Sequence, residues 1–433
     1  MKRFLGLRPI GWIEIGLLVV AAPFLLFPNV NPAGTLIALL LLILAWIVRW
    51  IVERRPGPST PFNGALLLWA VMVAVGILVT AFPELTLPKA TGLLLGMATY
   101  RCLVNVIREP DQLRLAVVGL AVVGLAITLA GVVSVQWPEK VPLVTERIMV
   151  SMPRLLELPG GPETGISANQ FGGTLVIFLA LLLSAALGVL QQRGKNLYLV
   201  LLIPLALGVL FLIVLTQSRG AWLGAILGNV VLLALWGAFS ATRSWRYGLL
   251  GFSALCLVIL VGGVGWIGLE PLERLWQEPA GMTALGSLGT LGFRQEVWRW
   301  ALVATQDFPF TGCGLGTFRE VVRLLYPLNV SPGYDIAHAH NIFLQVALDL
   351  GLPGLIAYLA LLGIACIIGL RVAYRSSERR ALALGLVGGL ISLHIYGLLD
   401  ALAPGSKTDI VFWLTLGLLT VLDRLSFATS TTA

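Results

Sequence analysis

Charged residues are scarce in this sequence, and so are cysteine and histidine. Only 12% of the 433 residues are charged and 58% are hydrophobic, whereas a soluble globular protein has about 25% charged residues. The four cysteines form no C-x-x-C pair, so neither a disulfide framework nor a zinc site is indicated. There are only three histidines. This composition excludes an ordinary soluble domain and is typical of a membrane protein.

The sequence contains many long apolar runs. Twelve of them approach the roughly 20 residues that a helix needs to cross a bilayer. We therefore predict an all-α, polytopic membrane protein with about 12 transmembrane helices. The first run follows a basic N-terminus, and we interpret it as a retained span because no small-x-small cleavage site follows it. The predicted spans are residues 10–28, 33–52, 63–82, 89–107, 114–135, 169–190, 197–216, 220–239, 247–268, 342–369, 380–402 and 409–425.

The positions of Lys and Arg predict the orientation of these spans. With a cytoplasmic N-terminus, 18 of the 29 Lys and Arg residues fall in or beside the short cytoplasmic segments. Most of the others lie in two long loops, 136–168 and 269–341, which translocate largely regardless of charge. We expect an inner (cytoplasmic) membrane protein with both termini in the cytoplasm and both long loops on the outer face. The net charge of +8 then anchors the protein at anionic membrane lipids, and nucleic acid is not an expected partner.

The second long loop contains two helical patterns. Residues 293–305, FRQEVWRWALVAT, place apolar side chains at helical spacing. Residues 317–328, TFREVVRLLYPL, begin with Thr317 and Glu320 in the spacing of a capping box, and the helical pattern ends at Pro327. Both patterns predict short helices at the membrane surface. The aromatic residues expected at the interface are Trp298, Trp300 and Tyr326.

Two arginines are candidates for binding an anion. Arg219, in LTQSRGAWLG, lies between two apolar runs at the predicted outer boundary, where the start of the next helix adds partial positive charge. Arg294 opens the first loop helix on the same predicted face. Each residue has a simpler interpretation, because arginines at helix ends commonly snorkel to water and loop charges are commonly solvated.

The segment DIAHAHNIFLQ holds His338 and His340 directly before an apolar run. A metal site would need further ligands, and no nearby carboxylate completes a familiar pattern, so we expect no metal. The histidines could be structural, donating to backbone carbonyls. Alternatively, an imidazole here could accept a proton from a hydroxyl nucleophile, with Asn341 orienting it or capping the next helix.

The glycines of TGCGLGTF, residues 311–318, do not indicate a cofactor. Their spacing departs from the dinucleotide fingerprint, and no strand precedes them. We therefore expect no cofactor, and we also find no acidic pair for a metal–nucleotide donor.

Five blocks of the sequence together resemble the signature domain of O-antigen ligases and O-antigen polymerases. They keep the family's order and approximate spacing between residues 167 and 418. The blocks are SANQFGGTL, LTQSRGAWLG, RQEVWRWALVATQDFPFTGCGLGTF, HAHNIFLQVALDLGLPGLIAYL and GLLDALAPGSKTDIVFWLTLGL.

The resemblance implies a GT-C-like membrane glycosyltransferase that needs no metal. Such enzymes transfer glycan from an undecaprenyl-pyrophosphate carrier to a hydroxyl of a glycan or lipid-core acceptor, and they invert the anomeric centre. Residue by residue, the resemblance assigns the pyrophosphate to Arg219 and Arg294 and the proton transfer to His340, with His338 matched less firmly. The supporting residues are Asn341, Ser218 and Asn169.

The predicted division is a set of N-terminal helices with the first loop, residues 1–168, and a ligase/polymerase-like domain, residues 169–425. Nothing in these residues separates ligase from polymerase. A polytopic transporter of a small anion or lipid-linked substrate is the alternative, although no internal repeat relates the two halves. A protein O-oligosaccharyltransferase is less expected, because that family usually carries a larger C-terminal region outside the membrane.

Overall fold

The computed structural model describes residues 9–55, 57–135, 137, 155, 166–192, 196–267, 291–327 and 336–430. Within these ranges the chain forms helices, turns and connecting loops without any strand, which confirms the all-α prediction. Most of the first long loop, parts of the second and the basic N-terminus lie outside the described residues. The predicted orientation and domain boundaries stay predictions.

The described residues form fourteen α-helices, and each predicted span coincides with one of them. They are α1 (Pro9–Leu26), α2 (Pro32–Glu53), α3 (Asn63–Leu78), α4 (Pro83–Val106), α5 (Pro110–Ser134), α6 (Ala168–Leu190), α7 (Leu199–Leu215), α8 (Arg219–Phe239), α9 (Arg243–Ile267), α10 (Leu291–Asp307), α11 (Phe318–Leu325), α12 (Ile342–Arg375), α13 (Arg380–Tyr396) and α14 (Ile410–Ser430).

Eight of these helices are long and apolar enough to cross a bilayer by length and composition. Three shorter apolar helices, α3, α7 and α13, correspond to further predicted spans. The remaining predicted span is α4, a 24-residue helix that also carries Glu84, Lys89 and Arg101. The protein is a polytopic membrane protein, as the composition predicts.

Glycine contacts hold the centre of the bundle together. A Cβ on Gly228 of α8 would lie 2.0 Å from Ser392 Oγ of α13, and one on Gly173 of α6 would lie 2.3 Å from the Tyr396 ring. Lipid is as apolar as leucine, so membrane helices associate through such close packing of small residues rather than through burial from water. The contacts bring α6 and α8 against the C-terminal end of α13.

Helix α12 is broken near its start, at Gly351, where φ is 68° and ψ is 178°. A Cβ at this position would lie 2.4 Å from Phe310 O, so only glycine allows the loop to approach. The Leu352 N–H donates to Pro309 O at 2.7 Å, and the Cys313 N–H donates to Leu348 O at 2.7 Å. The loop between α10 and α11 thus fills the break, and the part of α12 before Gly351 is fixed to this loop.

The two helices predicted in the second long loop are present as α10 and α11, and they pack against protein. Val297 and Ala301 of α10 are fully buried in a small core. This core also contains Phe318 and Val322 of α11 and Leu348 of α12. The Trp300 and Tyr326 rings stack with their centres 5.7 Å apart. The placement of these aromatic residues at a membrane interface stays a prediction.

The predicted capping box at Thr317 is wrong. Thr317 does precede the first residue of α11, but its hydroxyl makes no capping hydrogen bond to that helix. The hydroxyl instead donates backwards to Cys313 O at 2.7 Å and Gly314 O at 2.9 Å. The preceding Gly-rich loop offers carbonyl groups that compete for the threonine, which a local T-x-x-E pattern does not reveal.

Candidate functional site

The 397–400 turn, which follows α13, brings the candidate residues together. The Ile342 N–H donates to Gly397 O at 2.8 Å, and Asn341 Nδ2 donates to Leu398 O at 3.2 Å. Arg294 Nε donates to Leu399 O at 2.9 Å. Three consecutive carbonyl groups of one turn therefore fix the start of α12 and an arginine of α10 beside Asp400.

The two histidines share one carboxylate. His338 Nε2 lies 3.4 Å and His340 Nδ1 lies 3.7 Å from Asp400 Oδ1. The imidazole rings meet edge to face with their centres 4.5 Å apart. Asp400 is 2% exposed and His338 is 8% exposed, so the carboxylate lies behind the histidines and away from solvent.

The two histidines differ in how their ring nitrogens are used. His338 Nδ1 accepts the backbone N–H of His340 at 3.2 Å, while its Nε2 faces Asp400. Both nitrogens of His338 are therefore engaged. His340 turns Nδ1 towards Asp400, which places its Nε2 on the far side of the ring. This difference, which the sequence does not show, favours His340 over His338 as the residue that meets a substrate.

Hydrogen bonds hold the histidine segment in an uncommon backbone conformation. His340 has φ of 50°, in the left-handed region that residues other than glycine seldom adopt. Trp298 Nε1 donates to His340 O at 3.2 Å, and the Ala339 N–H donates to Gln345 Oε1 at 2.8 Å. Side chains from α10 and α12 thus stabilise a strained residue, and strain of this kind concentrates at functional sites.

Asn341 is the N-cap residue of α12. Its Oδ1 accepts the N–H groups of Phe343 at 3.0 Å and Leu344 at 3.1 Å, while its Nδ2 bonds the 397–400 turn. The capping role that the sequence allowed for Asn341 is confirmed by these contacts. Asn341 positions the histidine before it.

Ser218 and Arg219 begin α8 next to the same turn. Ser218 caps the helix, with its Oγ accepting the Ala221 N–H at 3.3 Å, and Arg219 is the first helical residue. A Cβ on Gly220 would lie 3.3 Å from the Tyr396 ring and 3.7 Å from Leu399 Cβ. The residue before the cap, Gln217, also has a positive φ of 48°. The backbone of Arg219 therefore lies near the turn that binds Arg294.

Asn169 lies in the first turn of α6, whose start packs on the same group of residues. A Cβ on Gly172 would lie 2.9 Å from Ala221 Cβ and 3.4 Å from Ser218 Cβ. Asn169 is partly exposed, and it lies one helical turn before this contact. The supporting residues of the resemblance thus lie at one end of the bundle.

Helix starts make this end of the bundle electrostatically favourable for an anion. The N-termini of α6, α8 and α12 meet near the 397–400 turn, and each presents N–H groups and partial positive charge. Burial alone raises the pKa of Asp400, but His338, His340, Arg294 and the Ala401 N–H together lower it below its usual value. Asp400 is consequently ionised at neutral pH, where it can orient an imidazole.

Asp400 is a further candidate residue, which the fold adds to those expected from the sequence. Its signal was a carboxylate inside an apolar run, in the block GLLDALAPGSKTDIVF. Asp400 also bears on whether the two histidines could bind a metal ion. No carboxylate near the histidines in the sequence completes a familiar metal pattern, whereas the fold gathers His338, His340 and Asp400 so that their ligand atoms lie within 4.8 Å of one another. Such a set could in principle hold an ion.

A comparison with known protein families finds a match within this chain. The family model described as O-antigen ligase matches residues 204–359, and no curated protein matches the chain. The matched range contains Arg219, Arg294 and His340, and it ends before Asp400. The match supports the family that the sequence blocks resemble, and this chain is a polytopic membrane protein with a segment, residues 204–359, that is similar to the O-antigen ligase family.

Proposed function

We propose that this protein is a membrane glycosyltransferase of the O-antigen ligase type that takes glycan from an undecaprenyl-pyrophosphate carrier. In this proposal the acceptor is a hydroxyl of a glycan or of a lipid core, and the reaction occurs on the outer face of the inner membrane. The observation that carries the proposal is the shared contact of His338 and His340 with Asp400, next to the carbonyl that binds Arg294.

The proposed proton acceptor is His340. Asp400 faces Nδ1, so it favours the tautomer with a proton on Nδ1 and leaves the Nε2 lone pair available for the acceptor hydroxyl. The 3.7 Å separation is longer than a hydrogen bond, as is common for a catalytic pair without substrate. His338 is a positioning residue in this scheme, because it binds the His340 backbone and the same carboxylate.

The proposed role of Arg219 and Arg294 is to bind the pyrophosphate. As the bond from the anomeric carbon to the phosphate oxygen breaks, negative charge grows on the leaving undecaprenyl pyrophosphate. Guanidinium groups and helix N-termini stabilise that charge without needing a metal.

The steps of the proposed reaction balance within this site. The acceptor oxygen attacks the anomeric carbon from the face opposite the pyrophosphate, and its proton passes to His340 Nε2. One carbon–oxygen bond forms while another breaks, the anomeric configuration inverts, and undecaprenyl pyrophosphate leaves. The N-caps Ser218 and Asn341 keep Arg219 and His340 in place for these steps.

A transfer assay tests this proposal. Purified protein is incubated with an undecaprenyl-pyrophosphate oligosaccharide, first alone and then with a glycan or lipid-core acceptor. Chain growth without an added acceptor identifies a polymerase, and transfer only to the lipid core identifies a ligase. Intact donor in every reaction, with folded protein, would contradict the proposal.

A second arm of the assay addresses the histidine–aspartate group as a metal site. The proposal expects transfer to continue in excess EDTA, since the arginines supply the charge that a metal would otherwise provide. Loss of transfer in EDTA and its recovery with a divalent metal would reassign His338, His340 and Asp400 as ligands.

A further inference from the structure

A second polar group lies in a groove that the proposed reaction does not use. The groove has a volume of about 670 Å³ and is formed by α2, α3 and α4. Its walls are mostly apolar, with Ile43, Leu67 and Leu94 exposed on the outside of the bundle, where a membrane protein meets lipid. Arg101 of α4 also lines this groove. An arginine at such a position is uncommon and calls for a partner of opposite charge.

The neighbouring carboxylates are already bound by other arginines. Glu14 forms an ion pair with Arg49, and Glu53 binds Arg49 at 3.2 Å and Arg108 at 2.6 Å. Arg55 also lies 3.7 Å from Glu53. Together with Arg101, the group therefore has two carboxylates and four guanidinium groups, so its net charge is positive.

Arg101 is the member of this group that forms no ion pair with a described carboxylate. Within the described part of the chain, its Nε and Nη2 atoms are buried without a hydrogen-bond partner. Its guanidinium group rests on the ring of Trp46, 5.0 Å from the ring centre. A cation–π contact favours the cation but gives its N–H groups no acceptor. Arg101 as a whole is partly exposed and lines the groove, so its guanidinium group suits a ligand in the groove that brings both negative charge and oxygen acceptors.

The groove lies at the opposite end of the helices from the histidine site. Near the start of α4, Thr86 donates to Leu315 O at 2.8 Å, which joins this end of the helix to the loop beside the site. Arg101 follows Thr86 by fifteen residues, which corresponds to about 22 Å along a helix. The groove therefore opens towards the other leaflet of the membrane and is separate from the proposed donor site.

We propose that this groove binds an anionic phospholipid of the leaflet opposite the histidine site. The phosphate accepts hydrogen bonds from Arg101, and an acyl chain lies along the apolar walls of the groove. Charge complementarity selects an anionic lipid over a zwitterionic one, since the group around Arg101 retains a net positive charge.

Native mass spectrometry of the full-length protein tests this site. The detergent-purified protein is delipidated and titrated with phosphatidylglycerol or phosphatidylcholine of identical acyl chains. We expect the wild type to bind phosphatidylglycerol more tightly than phosphatidylcholine. We expect Arg101→Gln to weaken phosphatidylglycerol binding about fivefold, since one arginine near a charged membrane surface contributes roughly 1 kcal/mol.

Two further variants make the test specific. Arg246→Gln is the matched control, because Arg246 is an exposed arginine at the start of α9, at the same end of the bundle and outside the groove. It should bind both lipids as the wild type does. Ala98→Phe places a ring in the groove one turn before Arg101 and should weaken phosphatidylglycerol binding without changing the charge.

Three results would overturn the proposal. The first is equal affinity of the wild type for the two lipids. The second is an equal loss in Arg246→Gln and Arg101→Gln, which would show a general effect of surface charge. The third is wild-type binding of phosphatidylglycerol by Ala98→Phe, which would place the lipid elsewhere even if Arg101→Gln failed to fold.

Discussion

Two of the charged groups in the described part of the chain lie at opposite ends of the helices, and they are built differently. Around Asp400, the partners come from loops and helix ends, and His340 has a strained backbone. Around Glu14 and Glu53, the partners are arginine side chains: Arg49 of α2 joins both carboxylates, and Arg108, in the connection between α4 and α5, also binds Glu53. The Asp400 group thus lies beside helix N-termini, where backbone N–H groups remain available, whereas the carboxylates of the Glu14 group are paired with arginines.

Among the substitutions in these two groups, His340→Ala should have the largest effect on glycan transfer. Transfer should fall by about 10²-fold to 10⁴-fold, the usual contribution of a general base. His338→Ala should cause a smaller loss, because His338 acts through the backbone of His340 and through Asp400. The measurement is the rate of glycan transfer, with size-exclusion chromatography as a check of folding. A larger loss in His338→Ala would exchange the roles of the two histidines.

Arg294→Gln and Arg219→Gln should each reduce transfer by about 10²-fold to 10³-fold, in line with the loss of one donor at a site of developing charge. The matched control is Arg299→Gln, because Arg299 is an exposed arginine on the same helix as Arg294. Arg299→Gln should keep nearly the wild-type rate. Equal losses in Arg294→Gln and Arg299→Gln would contradict a specific role for Arg294.

Asp400→Asn should reduce transfer by up to about 10²-fold, since it removes the group that orients His340. The native pKa of Asp400 lies below its ordinary value of 3.8. Its ionised form therefore stabilises the fold above pH 3.8, and this stability is lost as the pH falls through the lower native pKa.

The acid limb of the wild-type pH–rate profile should accordingly come from an imidazole, since Asp400 stays ionised over the assay range. Without a neighbouring carboxylate the imidazolium form is less favoured, so Asp400→Asn should move that limb to lower pH. An acid limb that is identical in wild type and Asp400→Asn would contradict the contact between Asp400 and the catalytic histidine.

Arg49→Gln should have the smallest effect on transfer and a large effect on stability. It leaves buried Glu14 without its ion-pair partner, which costs about 3 kcal/mol in comparable buried pairs. Arg101→Gln is the matched comparison within the same group, because it breaks no ion pair. Thermal unfolding in detergent measures both variants. Equal melting temperatures for Arg49→Gln and the wild type would show that the Glu14 pair contributes little.

Hydropathy predicted the spans well because insertion into a membrane depends on local composition. All twelve predicted runs coincide with helices, including the marginal ones. What local composition does not show is which helices face lipid. The apolar window of α14 is 83% buried inside the protein and that of α2 is 17% buried, although α2 is the more apolar of the two. Whether a helix is buried depends on the helices around it. A leucine is about equally favourable against lipid and against another helix, so apolar composition does not distinguish the two environments.

The break in α12 coincides with a helix-breaking pattern that is visible in the sequence. The run LGLPGL contains a glycine two residues before a proline, which is where helices stop or kink. The predicted span 342–369 runs through this site without a break. The structure shows a left-handed glycine with another loop packed into the gap. The neighbouring sequence can indicate that a glycine is needed for a close contact. It does not show which loop makes that contact.

The sequence by itself determined the membrane class, the helices and the residue types of the site, because hydropathy, helix breakers and the short blocks around Arg219, Arg294 and His340 are all local properties. Only the tertiary structure decided that Asp400, sixty residues beyond His340, is the carboxylate that both histidines share. It also decided that Glu14 forms an ion pair with Arg49 and that Arg101 forms no ion pair with a carboxylate among the described residues. Pairing of charges depends on distances of 3 to 4 Å between residues that are remote in the chain, and those distances arise only when the helices pack.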